Sequence, residues 1–407
     1  MFSTIYTALS GMLGFSKGLD VISNNIANLN TPGFKSSELE FRDLFYRYTQ
    51  GGGSDQEGER SQIGAGLDTK GTRTAFREGE MQDSGNPLDI AIDGNGFLVL
   101  QPANGVELYG RGGAQVYTRA GQLEFGTDGI LVDRSTGFRV MGYEGGALRE
   151  ISLNGLRTSA PVATSLIRVT GNLSPGSASA DLTNVAVIDA NGNSRTLAFK
   201  FTRDSADATH WFVEVRDENS QLLGTGEIRF QPNGSPAQDA SKFSFSLAAG
   251  GAPITVDIGD PGTFSGLTNF SGPSQSNLQV LSQDGTAAGS LTNATFDESG
   301  TLRLTYSNGK TVSGPSLALA WFDDLQGLRL SGGSVFVNDG NQAPTVGTAH
   351  AGIMGRIAAG KVELSNVELT EQFTDLIILQ RGYQASSQVT SVANEMIQQL
   401  IEMQAKR

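Results

Sequence analysis

Side chains capable of chemistry are sparse in this sequence, and their spacing does not assemble a catalytic set. There are two histidines, His210 and His350, and no cysteine. Composition alone therefore rules out a thiolate nucleophile, a Cys-based metal site and a disulfide framework. Neither histidine lies in an HExxH, GxSxG or paired-His pattern. His210 precedes Trp211 and reads as the start of a strand; His350 lies in a Gly/Ala/Thr-rich stretch and reads as a loop residue. Asp189-Ala190-Asn191-Gly192-Asn193 opens like a calcium loop, with oxygen side chains at alternating positions. The position that should supply a bidentate acid is Lys200, so the run reads as a hairpin turn. Gly94-Asn95-Gly96-Phe97 lacks the Lys-Ser/Thr and the following helix of a phosphate-binding loop. Carboxylates are numerous, but no spacing singles out a glycosidase-type pair. No catalytic, cofactor or metal site is assigned, and the chain is expected not to be an enzyme.

Length and composition point the same way. At 407 residues the chain exceeds one typical domain and suggests two or three units. Its 53 glycines and 17 % charged residues suit many turns between short strands. A net charge of −13 without any basic run excludes a phosphate-backbone partner. Met1 to Asn30 lacks a basic n-region and a small-residue cleavage site, and polar residues interrupt it every few positions. A cleaved secretory signal and a membrane span both fit poorly, so export would need another route.

The clearest periodicity lies at the two ends. Phe2, Ile5, Leu9, Met12, Ser16, Leu19, Ser23 and Ile26 alternate in steps of three and four, and Ala8, Phe15, Ile22 and Leu29 recur every seven. Together they form one broad apolar helical face that should end between Asn28 and Gly33, at Pro32. From Ser365 to Gln404, Leu369, Phe373, Leu376, Tyr383, Thr390, Ile397 and Ile401 fit a second heptad face, broadened by Leu379, Ala393 and Leu400. Ser365 with Glu368 is the expected capping box. Gln380, Ser387 and Asn394 are polar positions that weaken this seam but can set its register. Two readings remain open: a helical hairpin that ties the termini together, or a pair that packs on copies from other subunits.

The middle reads as β. Alternating runs at Leu197–Phe201, Trp211–Val215, Leu302–Tyr306 and Ser316–Trp321 are separated by Asp128-Gly129, Asn191-Gly192, Asn233-Gly234 and Asn308-Gly309. Gly51 to Gly53 with Ser54 and Asp55 reads as a flexible stretch. A secreted β-rich adhesin would account for this middle but leaves both terminal helices unexplained. A hydrolase hidden there would need a carboxylate pair.

Three motifs carry a family resemblance. Asn24-Asn25-Ile26-Ala27-Asn28-Leu29-Asn30-Thr31-Pro32-Gly33-Phe34-Lys35 is similar to the N-terminal signature of bacterial flagellar rod and hook proteins. Gly85 to Phe97 (GNPLDIAIDGNGF) resembles a second motif of that axial family. The third runs from Leu364-Ser365-Asn366 through Thr370 to Gln380-Arg381-Gly382-Tyr383-Gln384-Ala385. The chain length, Gly171-Asn172-Leu173, Gln283-Asp284-Gly285 and Ala318-Leu319-Ala320-Trp321-Phe322 resemble the longer, hook-type members. Thr31-Pro32-Gly33 is spelled as in rod-type members, and Ser331 to Ala351 follows the hook pattern poorly.

The resemblance implies a mainly β subunit with terminal α-helices paired as a coiled coil, and two β domains, the outer one inserted in the middle one. Residues 1–30 and 366–407 would form an inner helical core and 31–70 a connecting region. Residues 71–147 with 287–361 would form the middle β domain, and 148–286 the outer one. The expected role is structural, a curved tube transmitting torque from rod to filament, with a distal rod subunit as the alternative. The polymer contacts would come from Ile5, Leu9, Met12, Phe15, Leu19, Ile22 and Ile26, and from Leu369, Phe373, Leu376, Leu379, Tyr383, Ile397, Leu400 and Ile401. Expected neighbours are further copies, the distal rod protein, the hook cap, the hook–filament junction proteins and the type III flagellar export apparatus. No nucleic acid, membrane insertion or cofactor is implied, and the location would be the extracellular hook.

Overall fold

In a computed structural model, residues 2–44, 46–49, 61–64, 66–102, 107–108, 111–112, 115–248, 251–271, 276–340 and 342–405 are described. The Gly51–Gly53 stretch falls outside them. The chain divides into two units. The first comprises Met1–Asn154, Ala294–Arg303 and Ser313–Arg407; the second comprises Gly155–Asn293 and Leu304–Val312.

In the first unit, helix α1 spans Phe2–Ala27 and helix α2 spans Leu369–Ala405. α1 stops where Asn28 turns back: its side-chain amide donates to the Asn24 carbonyl at 2.9 Å, and Pro32 prevents continuation. α2 begins three residues later than the Ser365–Glu368 capping box requires. Ser365 Oγ accepts from the Val367 amide at 3.4 Å, while the Glu368 carbonyl accepts from Gln372, the first helical bond. The physical reason is that Asn366 and Glu363 are held by the β framework, so the chain stays extended until it clears them.

That framework pairs Ile90–Asp93 with Arg356–Ala359, and Met81–Asp83 with Lys361–Glu363. Beside it, Phe97–Gln101 pairs with Val116–Thr118, Arg139–Glu144 and Leu319–Trp321. The run Ser316–Trp321 is two strands, not one, interrupted at Ala318, whose amide donates to Met141 and whose carbonyl accepts from Val99. Phe97, Tyr117, Phe322 and Phe336 fill the core, with ring centroids of Tyr117 and Phe322 4.7 Å apart edge to face.

The second unit is two sheets packed on one core. Ser179–Ile188, Ser194–Arg203, His210–Arg216 and Leu222–Arg229 form an antiparallel meander. Lys242–Ser246, Pro253–Asp257, Leu166–Asn172, Leu267–Thr268 and Asn277–Gln283 form the other sheet. Alternation along each strand sends Phe199, Phe201, Trp211, Val213, Phe245 and Val256 inward. Gly226 lets the Phe243 ring lie flat on the meander, since an added Cβ would meet that ring at 2.5 Å.

Asp284 fastens the return of this sheet, accepting from the Ser165 amide at 2.8 Å, the Ser165 hydroxyl at 2.5 Å and the Leu166 amide at 2.9 Å. Burial pushes its carboxyl up, but the Ser165 hydroxyl and the two amides outweigh that and hold it below the usual range. A depressed carboxylate stabilises the fold above its unfolded pKa, and that contribution is lost as pH falls through the folded value. Acid melting of the second unit is therefore expected to flatten in Asp284→Asn below about pH 4. Thermal unfolding across pH 3–7 measures this, and parallel wild-type and variant curves would refute it.

Candidate functional site

The two helices meet through their small residues. On α1 the buried line is Ala8, Gly11, Gly14, Gly18, Ile22 and Asn25. On α2 the facing line is Gln372, Leu376, Leu379, Gly382, Ser386, Thr390, Ala393 and Ile397. A Cβ on Gly11 would meet Ser386 Oγ at 2.9 Å, one on Gly18 would meet Leu379 Cδ1 at 2.7 Å, and one on Gly382 would meet the Phe15 ring at 2.8 Å. Three interior glycines cost α1 roughly 2 kcal/mol of intrinsic helix stability relative to alanine. The compensation is close approach: Gly11 and Gly18 admit Ser386 and Leu379 of α2, and Gly14 admits Leu67 and Phe41. In assembled material, where the helices pair, Gly18→Val with Gly382→Val is expected to force them apart and abolish their mutual protection from amide exchange. Unchanged exchange at Leu379 and Phe15 would contradict this packing.

The larger apolar side chains lie mostly outside that seam. Of the residues expected at a polymer contact, Phe15, Ile22, Leu376, Leu379 and Ile397 line it, while Ile5, Met12, Leu19 and Ile26 are half-buried on its flanks. Leu9, Leu369, Phe373, Tyr383, Leu400 and Ile401 are exposed, as are Tyr6, Leu13, Ile377, Ile378, Val389, Val392 and Met396, which the heptad reading did not include. Ile378 is 59 % exposed and Phe373 52 %. A helix pair that ties only its own chain together would hide its large residues and show its small ones. This pair lines its seam with five large residues and leaves a larger number exposed outside it. Val389, Val392 and Met396 with Thr4 and Ala385 line an open apolar groove along it.

α1 has a second contact, with the hairpin Ser37–Asp43/Leu67–Thr74. The Phe15 and Phe41 rings lie 6.1 Å apart, and Lys17 Nζ donates to Thr69 Oγ1 at 3.1 Å. The other residues of the hairpin carry cross-strand ion pairs, Arg42 with Asp68 at 2.8 Å and Lys70 with Glu40 at 3.5 Å.

Several of the family-signature residues converge where both chain ends leave the helix pair. Lys35 Nζ donates to Glu363 Oε1 at 2.5 Å and to the Arg77 carbonyl at 2.6 Å. The two charged side chains are 1 % and 0 % exposed. Glu363 Oε2 accepts from Arg119 at 3.3 Å, and its Oε1 also accepts from the Gly79 amide at 2.9 Å. Arg119 donates on to the Gly94 carbonyl at 2.6 Å. Burial pushes the Lys35 ammonium below the usual lysine value, with Glu363 pulling against it.

Around this core, Asn366 accepts from the Ser36 amide at 2.8 Å and donates to the Ala75 carbonyl at 2.7 Å. Asn25 bridges the helices to the hairpin, donating to Ser37 O at 2.8 Å and Gln372 Oε1 at 2.9 Å and accepting from the Ser37 amide at 3.0 Å. Phe34 is buried beside them, and its carbonyl accepts from the Asn366 amide at 3.4 Å. Asn24, Asn28 and Thr31 form the helix-ending turn, in which Asn28 Nδ2 reaches Asn24 Oδ1 at 2.9 Å and Thr31 Oγ1 reaches Asn28 Oδ1 at 3.1 Å. Ala27, Gln380, Arg381 and Gln384 stay exposed on their helices.

Gly33 sits at φ +67, its amide donating to Glu363 O at 2.8 Å, and a Cβ there would meet the Ala120 nitrogen at 2.5 Å. Gly33→Ala is expected to destabilise the first unit by at least about 1–3 kcal/mol, from the left-handed backbone alone. A change under a few tenths by thermal unfolding would refute it. Ser334, itself at φ +57, donates its hydroxyl to the Pro32 carbonyl at 3.0 Å. The poorly matching tract Ser331–Ala351 thus supplies a turn that seats Pro32.

Elsewhere, the residues considered for chemistry take structural roles. His210 begins its strand between Asp204 and Glu227, at 3.2 and 3.1 Å, and His350 lies in a turn at φ +63. Asp189 caps its own hairpin through the Asn191 and Asn193 amides. The Asn193 amide foremost holds its carboxyl low despite desolvation, the opposite of what a general acid needs. Among the described residues no helix is long and apolar enough to cross a membrane.

Comparison with known proteins places matches at both ends. The family described as flagella basal body rod protein matches residues 5–35, and the C-terminal family of flagellar basal body rod FlgEFG proteins matches residues 358–403. The flagellar hook protein FlgE of Borreliella burgdorferi is 27 % identical over 99 % of this chain and 100 % of its own. FlgE of Escherichia coli K12 is 28 % identical over 97 % and 98 %, and FlgE of Rhizobium meliloti 29 % over 99 % of each. The crystal structure of Helicobacter pylori FlgE2 aligns with 70 % of this chain at 14 % identity and a TM-score of 0.43, too distant to inform the packing.

Proposed function

The chain belongs to the flagellar rod and hook protein family, and we propose from that premise that it is the hook subunit, polymerising through its terminal helices into a short curved tube. The observation that carries this is the helix pair, with glycines buried against Ser386, Leu379 and Phe15 at the seam and Phe373, Ile378, Leu400 and Ile401 left exposed. Burying one such side chain contributes about 1.5–3 kcal/mol. The pair presents more than ten, so association is strongly favoured once helices from several copies meet. A head-to-tail contact that does not close on itself produces a helical tube.

In this reading residues 1–30 and 366–407 form the innermost shell, 31–70 the connection, 71–147 with 287–361 the middle shell and 148–286 the outermost. The outer unit carries a low density of charge, which suits sliding between neighbours as the tube bends. Its role is mechanical, transmitting torque, and no reaction is assigned to it. Its neighbours are the distal rod protein, the hook cap and the hook–filament junction proteins, reached after export through the flagellar type III apparatus.

Helical stability in water comes mainly from packing, so both ends are expected to be largely unfolded in a dilute monomer and to fold on assembly. Sharp, non-exchanging helical NMR signals from residues 2–27 and 369–405 in the monomer would refute this. Electron microscopy of the concentrated full-length chain is expected to show curved tubes, which a chain lacking residues 1–30 and 370–407 does not form. Straight, stiff tubes would favour a distal rod subunit instead.

A further inference from the structure

The Lys35–Glu363–Arg119 cluster has a division of labour that follows from where each residue is held. Glu363 ends the strand Lys361–Glu363, which is paired to Met81–Asp83. Arg119 follows the strand Val116–Thr118 and is tied to the Ile92 and Gly94 carbonyls at 3.3 and 2.6 Å. Both therefore belong to the β framework independently of the helices. Lys35 belongs to the segment that leaves α1, and its whole side chain is buried in the framework. Glu363 Oε1 is shared between the Gly79 amide and Lys35, so without Lys35 the carboxylate keeps one cation, Arg119, and an open acceptor position.

We infer that Glu363 and Arg119 form a preformed socket and Lys35 a plug, and that plugging fixes the register of α1 against α2 before the helices fold. This rests on the reading that the ends order on assembly. With the plug seated, the Gly33 amide bonds to Glu363 O and the Ser36 amide to Asn366 Oδ1. These bonds hold residue 33 beside 363 and residue 36 beside 366, chain positions more than 300 residues apart in sequence. Asn25 and Gln372, the next pair outward, then meet across the helices at 2.9 Å. Bringing the two chain ends together at this point removes the loop-closure entropy from helix pairing. It also raises the effective concentration of one helix at the other. Lys35 is in this sense a positioning residue. It touches no neighbouring subunit in the inference, yet it decides whether the surfaces that do touch are aligned.

The test compares the full-length wild type with Lys35→Met, Glu363→Gln and the double variant Lys35→Met/Glu363→Gln. Removing both charges leaves Arg119 with the Ile92 and Gly94 carbonyls and with Glu78 at 3.9 Å, and the glutamine side chain placed at position 363 keeps an acceptor for the Gly79 amide. Two readouts are taken. The first is amide hydrogen exchange in the unassembled chain. Gly33 and Ser36 are expected to be protected in wild type while α1 and α2 exchange quickly, and to lose at least tenfold protection in the double variant, with Ile92 and Val99 unchanged. The second is the concentration at which polymer sediments, expected to rise at least tenfold in the double variant. If Gly33 and Ser36 exchange alike in wild type and double variant, or if the double variant sediments at the wild-type concentration, the plug does not set the register and the inference fails. If wild type itself never sediments, the polymer reading fails, and the exchange result still decides the plug. Should Lys35→Met misfold, Glu363→Gln alone is expected to move the same two amides in the same direction.

Discussion

A chain carrying Phe373→Asp and Ile378→Asp is expected to stay folded and fail to assemble. Both side chains are more than half exposed on α2, so neither supports the fold of a single chain. If assembly buries them, each contributes about 1.5–3 kcal/mol there, and losing two removes roughly 3–6 kcal/mol per subunit addition. That corresponds to about a 10²- to 10⁴-fold rise in the concentration needed for polymer, before the cost of burying two carboxylates is added. Sedimentation across a concentration series measures it, with thermal unfolding as the control for an intact fold. Assembly at the wild-type concentration would mean that this face of α2 lies on no subunit contact. Leu9 and Leu13 on α1, exposed in the same way, are expected to behave alike.

Lys35→Ala has the largest expected effect on a single folded chain. The ammonium is 1 % exposed and bound to a carboxylate that is fully buried. Breaking a buried pair by removing one partner costs about 3–5 kcal/mol, chiefly through the charge left without its counterion. Arg119 at 3.3 Å softens the loss but is itself held by two carbonyls and cannot move to the vacated position. Denaturant unfolding of the first unit, followed through Trp321, should show a midpoint shift of that size. A change below about 1 kcal/mol, the range of an exposed pair, would mean that the pair is not buried in solution. Replacing both partners by neutral residues should cost less than the sum of the two single replacements, because the pair is coupled; Arg119 then keeps the two carbonyls and Glu78 at 3.9 Å.

The terminal helices and the β character of the middle were legible because their signals are local. A 3.6-residue period and a two-residue period each declare themselves within about ten residues, and Asn191-Gly192 and Asn308-Gly309 mark their hairpins directly. Which helical face turns inward was not legible in the same way. Phe2, Ile5, Leu9 and Met12 form the more apolar series, yet Gly11 and Gly18 lie on the seam because close approach rewards small size and not hydrophobicity. Hydropathy ranks residues by their tendency to leave water, and a surface reserved for other copies looks identical to one reserved for the chain's own partner.

The socket was missed for a different reason. Lys35 stood inside a recognised motif, but Glu363 precedes the C-terminal motif by one residue, and Arg119 lies in no motif at all. Pairing across 328 residues leaves no trace in spacing. The one available signal was that Glu363 follows Val362 at the end of a strand that runs into the core, a carboxylate where burial demands a partner. The Ser365–Glu368 cap failed because the rule describes a free helix end, whereas Asn366 is engaged with Ser36 and Ala75 and delays the helix.

Assembly through the helix pair can be tested directly by single-site labelling, since the chain contains no cysteine. Ile378→Cys, 59 % exposed in the single chain, is reacted with a maleimide before and after assembly, beside Lys310→Cys on a hairpin turn as reference. The expected result is rapid labelling of both in the monomer and, in pelleted tubes, at least tenfold slower labelling at 378 alone. Equal labelling of 378 in monomer and tube would contradict assembly through this face.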